Sequence, residues 1–245
     1  MLQIKGLTKI FKSGKGDKRA VDNLSLNVAP GDIYGFIGHN GAGKTTTLRA
    51  CAGVMTYDSG EIAVNGIDVA RDPIEAKRQL AYVQDNPELY DNLKAEYYLK
   101  FIGDIYGVPA AERRSRIEKY AGGFEIIGNL GDPIGSYSHG MKQKLALVAA
   151  LLHAPRLLML DEPFVGLDPK AALTLKGFMS ELCQSGGAIF FSTHVLDVAE
   201  KLCNRVAIIK SGSLIAEGTM EEVRGTASLE AVFMELTETG GAANV

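Results

Sequence analysis

No apolar stretch in this sequence is long enough to cross a bilayer. The longest uninterrupted run, residues 145–152, falls well short of the ~18 residues that a helical span requires. The opening Met1-Leu2-Gln3-Ile4-Lys5 lacks the apolar core of a secretory signal. Cysteine is scarce. Cys51, Cys183 and Cys203 are odd in number, far apart and never in a C-x-x-C pair, which argues against a disulfide framework or a cysteine zinc site. A reducing cytoplasm is the expected compartment. Positive charge is not in excess either: 26 Lys+Arg face 29 Asp+Glu, a formal net charge of −3, so no nucleic-acid partner is expected. No internal repeat is present. What remains is an ordinary globular composition, 46% hydrophobic and 22% charged over 245 residues, enough for one large domain or two small ones with a sizeable core.

One segment carries specific chemistry. Gly38-His39-Asn40-Gly41-Ala42-Gly43-Lys44-Thr45, followed by a second hydroxyl at Thr46, has the form G-x-x-x-x-G-K-[ST] of a phosphate-binding loop. Residues 33–37 before it are apolar enough for a buried strand, and residues 46–51 after it can open a helix. A glycine-rich turn in that setting leaves backbone N–H groups unpaired and aimed into one concavity. The helix start adds its own free N–H groups and the positive end of its dipole. Lys44 supplies a mobile charge for the β- and γ-phosphates, and the Thr45 hydroxyl can ligate Mg²⁺. His39 is tolerated, because such a loop binds through its backbone.

Further on, Leu157-Leu158-Met159-Leu160-Asp161-Glu162 is an apolar strand that ends in two carboxylates. Ligands of open α/β sheets bind outside the carboxyl ends of the strands, so Asp161 is expected to emerge where the phosphate loop opens and to hold Mg²⁺ through water. Glu162 points elsewhere and is the candidate general base for an attacking water. Tyr137-Ser138-His139-Gly140-Met141-Lys142-Gln143 places a serine and a glycine at a helix start, a second anion site. One phosphate loop needs only one helix N-terminus, so the second implies that another set of phosphates approaches it.

The organisation is that of an α/β protein. Short strands and turns fill the first thirty residues, with turns at 13–17 and 29–32, and a hairpin strand is expected at 61–64. Between Asn86 and Gly135 the chain changes character. Leu93, Tyr97, Phe101 and Ile105 recur at four-residue spacing and mark a helical face, followed by a second helix over 110–120. Residues 138–152 read as a long helix with Ser138 as N-cap. Apolar strands at 156–160 and 188–192, separated by a helical stretch at 170–184, suggest βαβ units and a parallel sheet. Strands at 206–210 and 213–216 come next, then a weakly amphipathic tail with a frayed end at 240–245.

Taken in order, these motifs resemble those of the nucleotide-binding subunits of ATP-binding cassette (ABC) transporters, over about residues 1–216. Lys44 lies in the Walker A loop, Gln84 matches the glutamine loop, Ser138 and Gly140 the signature motif, Asp161 and Glu162 Walker B, Gly166-Leu167-Asp168 the D-loop, and His194 the switch histidine. Phe11 stands where the family stacks an aromatic on adenine. Two positions depart from the usual pattern: His139 replaces a glycine of the signature, and Val165 replaces a serine before the D-loop. The Tyr-Ser-x-Gly-Met-x-Gln run is similar to the branch that partners ABC-2-type exporter permeases.

The resemblance implies a P-loop NTPase (RecA-like) core with an antiparallel β subdomain and an inserted helical subdomain. It implies one ABC ATPase domain over 1–245, with 1–86 and 154–245 forming the core and β subdomain and 87–153 the helical subdomain. ATP and Mg²⁺ are the implied ligands. Phe11, Asn40, Gly41, Ala42, Gly43, Lys44, Thr45 and Thr46 would hold the nucleotide, Ser138 and Gly140 would cap it from a second subunit, and Thr45, Gln84 and Asp161 would serve the metal. Glu162, His194 and Gln84 are the implied catalytic residues. The implied partners are a second nucleotide-binding subunit, identical or homologous, and an integral-membrane permease, with the chain peripheral on the cytoplasmic face. A soluble cassette ATPase acting on ribosomes or nucleic acid is the alternative. Within the aromatic helix, Leu93, Phe101 and Ile105 are expected to face inward, and Tyr98, off that stripe, to be the exposed contact.

Overall fold

The computed structural model describes residues 1–12, 14 and 16–238. Part of the turn expected at 13–17 and the whole of the frayed end expected at 240–245 lie outside them.

Two sheets organise the chain. Strands β1 (Leu2–Phe11), β2 (Lys18–Val28), β4 (Ser59–Val64) and β5 (Ile67–Asp68) form an antiparallel sheet in the order β2-β1-β4-β5. Its strands alternate as a half-buried sheet should: Leu24, Leu26 and Val28 point inward while Ser25 and Asn27 are exposed. The second sheet has the order β10-β9-β3-β8-β7-β6, built from β3 (Ile33–Ile37), β6 (Leu80–Val83), β7 (Leu157–Asp161), β8 (Ala188–Thr193), β9 (Arg205–Lys210) and β10 (Ser213–Thr219). All its pairs are parallel except the edge pair β9–β10.

Strand β7 is buried along its whole length, as expected of a strand covered on both faces. Its side chains divide two cores. Leu158 and Leu160 belong to one, with α5 (His139–Leu152) and α6 (Pro169–Gln184); Leu157 and Met159 belong to the other, with α1 (Lys44–Cys51) and the antiparallel sheet. Helix α2 (Pro73–Gln79) precedes β6, and its start is set by Asp72, whose side chain accepts from Glu75 N–H, followed by Pro73. Helix α7 (Leu196–Leu202) precedes β9, and α8 (Met220–Arg224) and α9 (Leu229–Glu238) account for the tail that looked only weakly amphipathic.

Helices α3 (Ala95–Ile105) and α4 (Ala110–Gly123) pack with α5 in the region of changed composition. Here one expectation is reversed. Leu93, Tyr97, Phe101 and Ile105 are all exposed, and Tyr98 packs against the core. The inward face of α3 is Ala95, Leu99 and Gly103, which recur at the same four-residue spacing. Gly103 is a glycine where α4 comes close: a Cβ there would meet Arg113 Cδ at 2.5 Å. Bulk accumulates on the outer face, against the rule that large apolar side chains point inward.

Candidate nucleotide site

The phosphate loop joins β3 to α1. Its last residue, Gly43, is the N-cap of α1 in the left-handed region (φ 111°), with no side-chain cap over the first turn. The N–H groups at that end are thus left for a ligand rather than for a capping hydroxyl. Glycine is required there twice over, since a Cβ would also meet the Ala20 carbonyl oxygen at 2.4 Å. Lys44 lies back along the loop, 6% exposed, and its Nζ donates to the Gly38 carbonyl at 2.7 Å and the His39 carbonyl at 3.3 Å. Thr45 and Thr46 remain accessible at the helix start. The His39 ring packs edge-on against Phe233 of α9, at 4.8 Å between centroids, so the last helix of the described residues rests on this loop.

Strand register brings the other groups to the same end of the sheet. Ile37 lies opposite Thr193, and Asp161 opposite Ser192. Ser192, fully buried, donates its hydroxyl to Asp161 Oδ1 at 2.5 Å, which fixes one oxygen of a carboxylate that is itself buried. Ser192 Oγ also accepts from Glu162 N–H at 3.1 Å. Glu162 adopts φ 48°, a conformation costly for a residue with a Cβ and found disproportionately at functional sites. That turn swings its carboxylate away from Asp161 toward Lys44 and His194. Glu162 Oε1 lies 3.5 Å from Lys44 Nζ and 3.0 Å from His194 Nδ1, and Oε2 accepts from His194 N–H at 3.3 Å.

A cavity of about 260 Å³ opens here, lined among others by Phe11, His39, Asn40, Gly41, Gly43, Lys44, Thr45, Thr46, Asp161 and Glu162. Ala42 is buried beneath the loop. Three lining residues escaped sequence reasoning: Lys18 and Ala20 from the start of β2, and Asp85. Partial burial, and then the charges of Asp161 and Glu162, push the Asp85 carboxyl above its ordinary value. Ser192 was missed as well, because it meets Asp161 from a strand 31 residues away in the chain. Among the described residues no group of three His, Cys, Asp or Glu is arranged to cage a metal. The available donors, the Thr45 hydroxyl and the Asp161 carboxylate, are hard oxygens of the kind that hold Mg²⁺ jointly with phosphates.

Besides buried Ala42 and His194, which reaches the site through Glu162, three expected site residues lie outside this cavity. Ser138 caps α5, its hydroxyl accepting from Met141 N–H at 3.3 Å. Gly140, the second residue of that helix, packs on the D-loop of its own chain: a Cβ there would sit 2.7 Å from the Gly166 carbonyl oxygen. Lys144 of the same helix pairs with Asp168 at 2.7 Å, and Asp168 in turn caps α6 by accepting from Ala171 N–H at 2.8 Å. Gln84, the third, lines a separate groove of about 210 Å³ with Tyr98, Tyr106 and His153, and its Oε1 accepts from Arg49 Nη2 at 3.2 Å.

A phosphate loop at the start of α1, a buried Asp at the end of β7 and a serine-capped helix outside the cavity are the elements of a known architecture. The family model described as "ABC transporter" matches residues 21–165. The "ABC transporter ATP-binding protein NatA" of Bacillus subtilis is 32% identical over 96% of this chain and 97% of its own length. The chain belongs to the ABC transporter family. A solved ATP-binding subunit of an ABC transporter shares 34% identity and a TM-score of 0.91, over 96% of this chain and 99% of that one. A dimeric ATP-binding cassette solved in a post-hydrolysis state with ADP and Pi shares the fold, at 24% identity and a TM-score of 0.82 over 90% of this chain and 99% of that one. The chain is thus a P-loop ATPase, the ATP-binding subunit of an ABC transporter.

Proposed function

We propose that this ABC cassette is the engine of a membrane exporter. On this reading it closes on a second cassette around ATP and docks on a separate integral-membrane permease at the cytoplasmic face. No helix among the described residues is long and apolar enough to cross a membrane, so a transport role needs such a partner. The observation that carries the reading is the outward stripe of Tyr97, Phe101 and Ile105 on α3, with Tyr90 and Leu93 beside it. Exposed apolar side chains gathered on one face mark an interaction surface. The stripe lies on the helix that also supplies Tyr98 to the Gln84 groove. Export, rather than import, rests on the likeness of the Tyr137–Gln143 run to the ABC-2-type branch.

The chemistry follows from positioning. Phe11 stacks on the adenine, the loop N–H groups and Lys44 hold the phosphates, and Thr45, Asp161 and Gln84 serve Mg²⁺. When bound, that ion neutralises charge spreading over the β- and γ-phosphate oxygens. Glu162 polarises the attacking water, and His194, already hydrogen-bonded to Glu162, orients it and senses the terminal phosphate. Ser138 and Gly140 lie outside their own subunit's cavity, which suits a role as the partner's cap on that phosphate. Hydrolysis removes the shared charge and lets the two subunits part.

The test is a charge placed on the stripe. Phe101→Glu is expected to abolish co-purification with the permease from solubilised membranes while leaving the ATPase activity of the isolated chain intact. Undiminished co-purification would refute docking through α3.

A further inference from the structure

Arg49 stands in the last turn of α1, five residues past Lys44, and does not line the phosphate cavity. It has no place in the phosphate chemistry above. Its Nη2 nevertheless donates to Gln84 Oε1 at 3.2 Å across a partly buried contact. The same guanidinium lies near the Tyr82 hydroxyl, a buried group with no hydrogen-bond partner among the described residues. Gln84 therefore carries its one acceptor atom in the grip of a cation that has donors and nothing else. It lies in the groove with Tyr98 and Tyr106, whereas the next residue, Asp85, lines the phosphate cavity. The chain crosses from one cavity to the other between these two residues, and Arg49 is bonded at the crossing.

We propose that Arg49 is a positioning residue, a catch that keeps Gln84 in the groove until Mg²⁺–nucleotide competes for its amide oxygen. This rests on the reading of Gln84 as a metal-serving residue given above. An amide oxygen is a good ligand for a hard cation, but the atom held at Arg49 faces the wrong cavity. Serving the metal means breaking the 3.2 Å bond and withdrawing from the groove floor. Because Arg49 belongs to the helix whose first residues bind phosphate, loading of the nucleotide and release of the groove are joined through one side chain. A groove occupant that pins Gln84 would act against metal engagement, and the reverse holds equally, since coupling between sites is reciprocal.

Calorimetry of ATP binding in a Glu162→Gln background, with Mg²⁺ and again with EDTA, tests the catch without relying on turnover. Arg49→Met keeps the aliphatic stem and removes the donor. It is expected to tighten Mg²⁺–ATP binding roughly threefold to tenfold, the net scale of one ordinary intramolecular hydrogen bond. Metal-free ATP binding is expected to stay at the parent value. Adding Gln84→Ala should erase the gain, because the two side chains then have nothing left to couple. Tyr82→Phe, which leaves the Arg49–Gln84 bond in place, should show no gain. Equal changes with and without metal, or a gain that survives Gln84→Ala, would overturn the catch and assign Arg49 a structural role. If Gln84→Ala alone leaves Mg²⁺–ATP affinity at the parent value, the metal role of Gln84 falls first, and the catch with it.

Discussion

Lys44 and Glu162 stand 3.5 Å apart as an ion pair, with both side chains largely removed from water. Glu162 balances the charge of Lys44, so the cavity holds its own counter-ion before any nucleotide enters. A terminal phosphate arriving at Lys44 must take over the role that Glu162 holds. It is repelled by that carboxylate as it does so.

Replacing Glu162 by Gln removes both the base and the repulsion. Turnover is expected to drop by roughly two to four orders of magnitude, the usual contribution of general-base catalysis. ATP affinity is expected to rise, because Lys44 is released from its partner. Phosphate release and calorimetry on the same preparation check the two halves separately. Parent-rate hydrolysis would remove Glu162 from the mechanism.

Gly140→Ala places a methyl group 2.7 Å from the Gly166 carbonyl, a backbone atom that cannot step aside cheaply. The signature helix and the D-loop must then separate, although neither lines the cavity of their own chain. We expect ATP binding by the single chain to persist and ATP-driven dimerisation, followed by gel filtration in a Glu162→Gln background, to fail. Normal dimerisation would show that the Gly140–Gly166 contact is irrelevant to closure.

The two faces of α3 make opposite predictions for stability. Tyr98→Ala removes a ring packed on the core and should cost about 1–3 kcal/mol. Phe101→Ala, on the exposed stripe, should stay within about 0.5 kcal/mol of the parent. Urea unfolding distinguishes them. The reverse ranking would restore the inward reading of the four-residue stripe.

His153 gives a pH signature. Burial holds its pKa down to about 4, despite the Leu80 carbonyl 3.1 Å from its Nε2, and the ring stacks on Tyr106 at 3.8 Å. The unfolded chain, with an ordinary imidazole near 6.5, binds the proton more tightly than the folded one. Stability is therefore full above about pH 6.5 and declines as the pH falls toward 4, by about 1–3 kcal/mol in all. His153→Phe keeps the stack and should flatten that part of the stability profile. An unchanged slope in urea midpoints between pH 6.5 and 4.5 would place the titration elsewhere.

The local parts of the fold and site were legible in the sequence. The phosphate loop, the Asp161-Glu162 strand end and the Ser138 cap depend on residues within one turn of one another, and the structure places them as read. The α3 error has a different origin. Four-residue spacing says which residues share a face but not which face turns inward, and Ala95, Leu99 and Gly103 carry the same spacing with less bulk. The packing against Arg113 that requires Gly103 is set by another helix. Arg49–Gln84 and Ser192–Asp161 were likewise invisible, because each joins residues far apart in the chain through a hydrogen bond that no local pattern announces. Helix α2 could have been found, since Asp72-Pro73 is a start signal.

Strand β3, which delivers the phosphate loop, sits in the sheet between β8 and β9. Those neighbours come from the last quarter of the chain, while β3 itself is made within the first forty residues. On the ribosome the loop is therefore synthesised early and framed late. A nascent chain halted before residue 188 holds every residue of the loop without the flanking strands that shape it, so nucleotide capture must await near-complete translation. Such long-range pairing is slow to form. The exposed apolar surface of this half-made sheet is what a chaperone would meet.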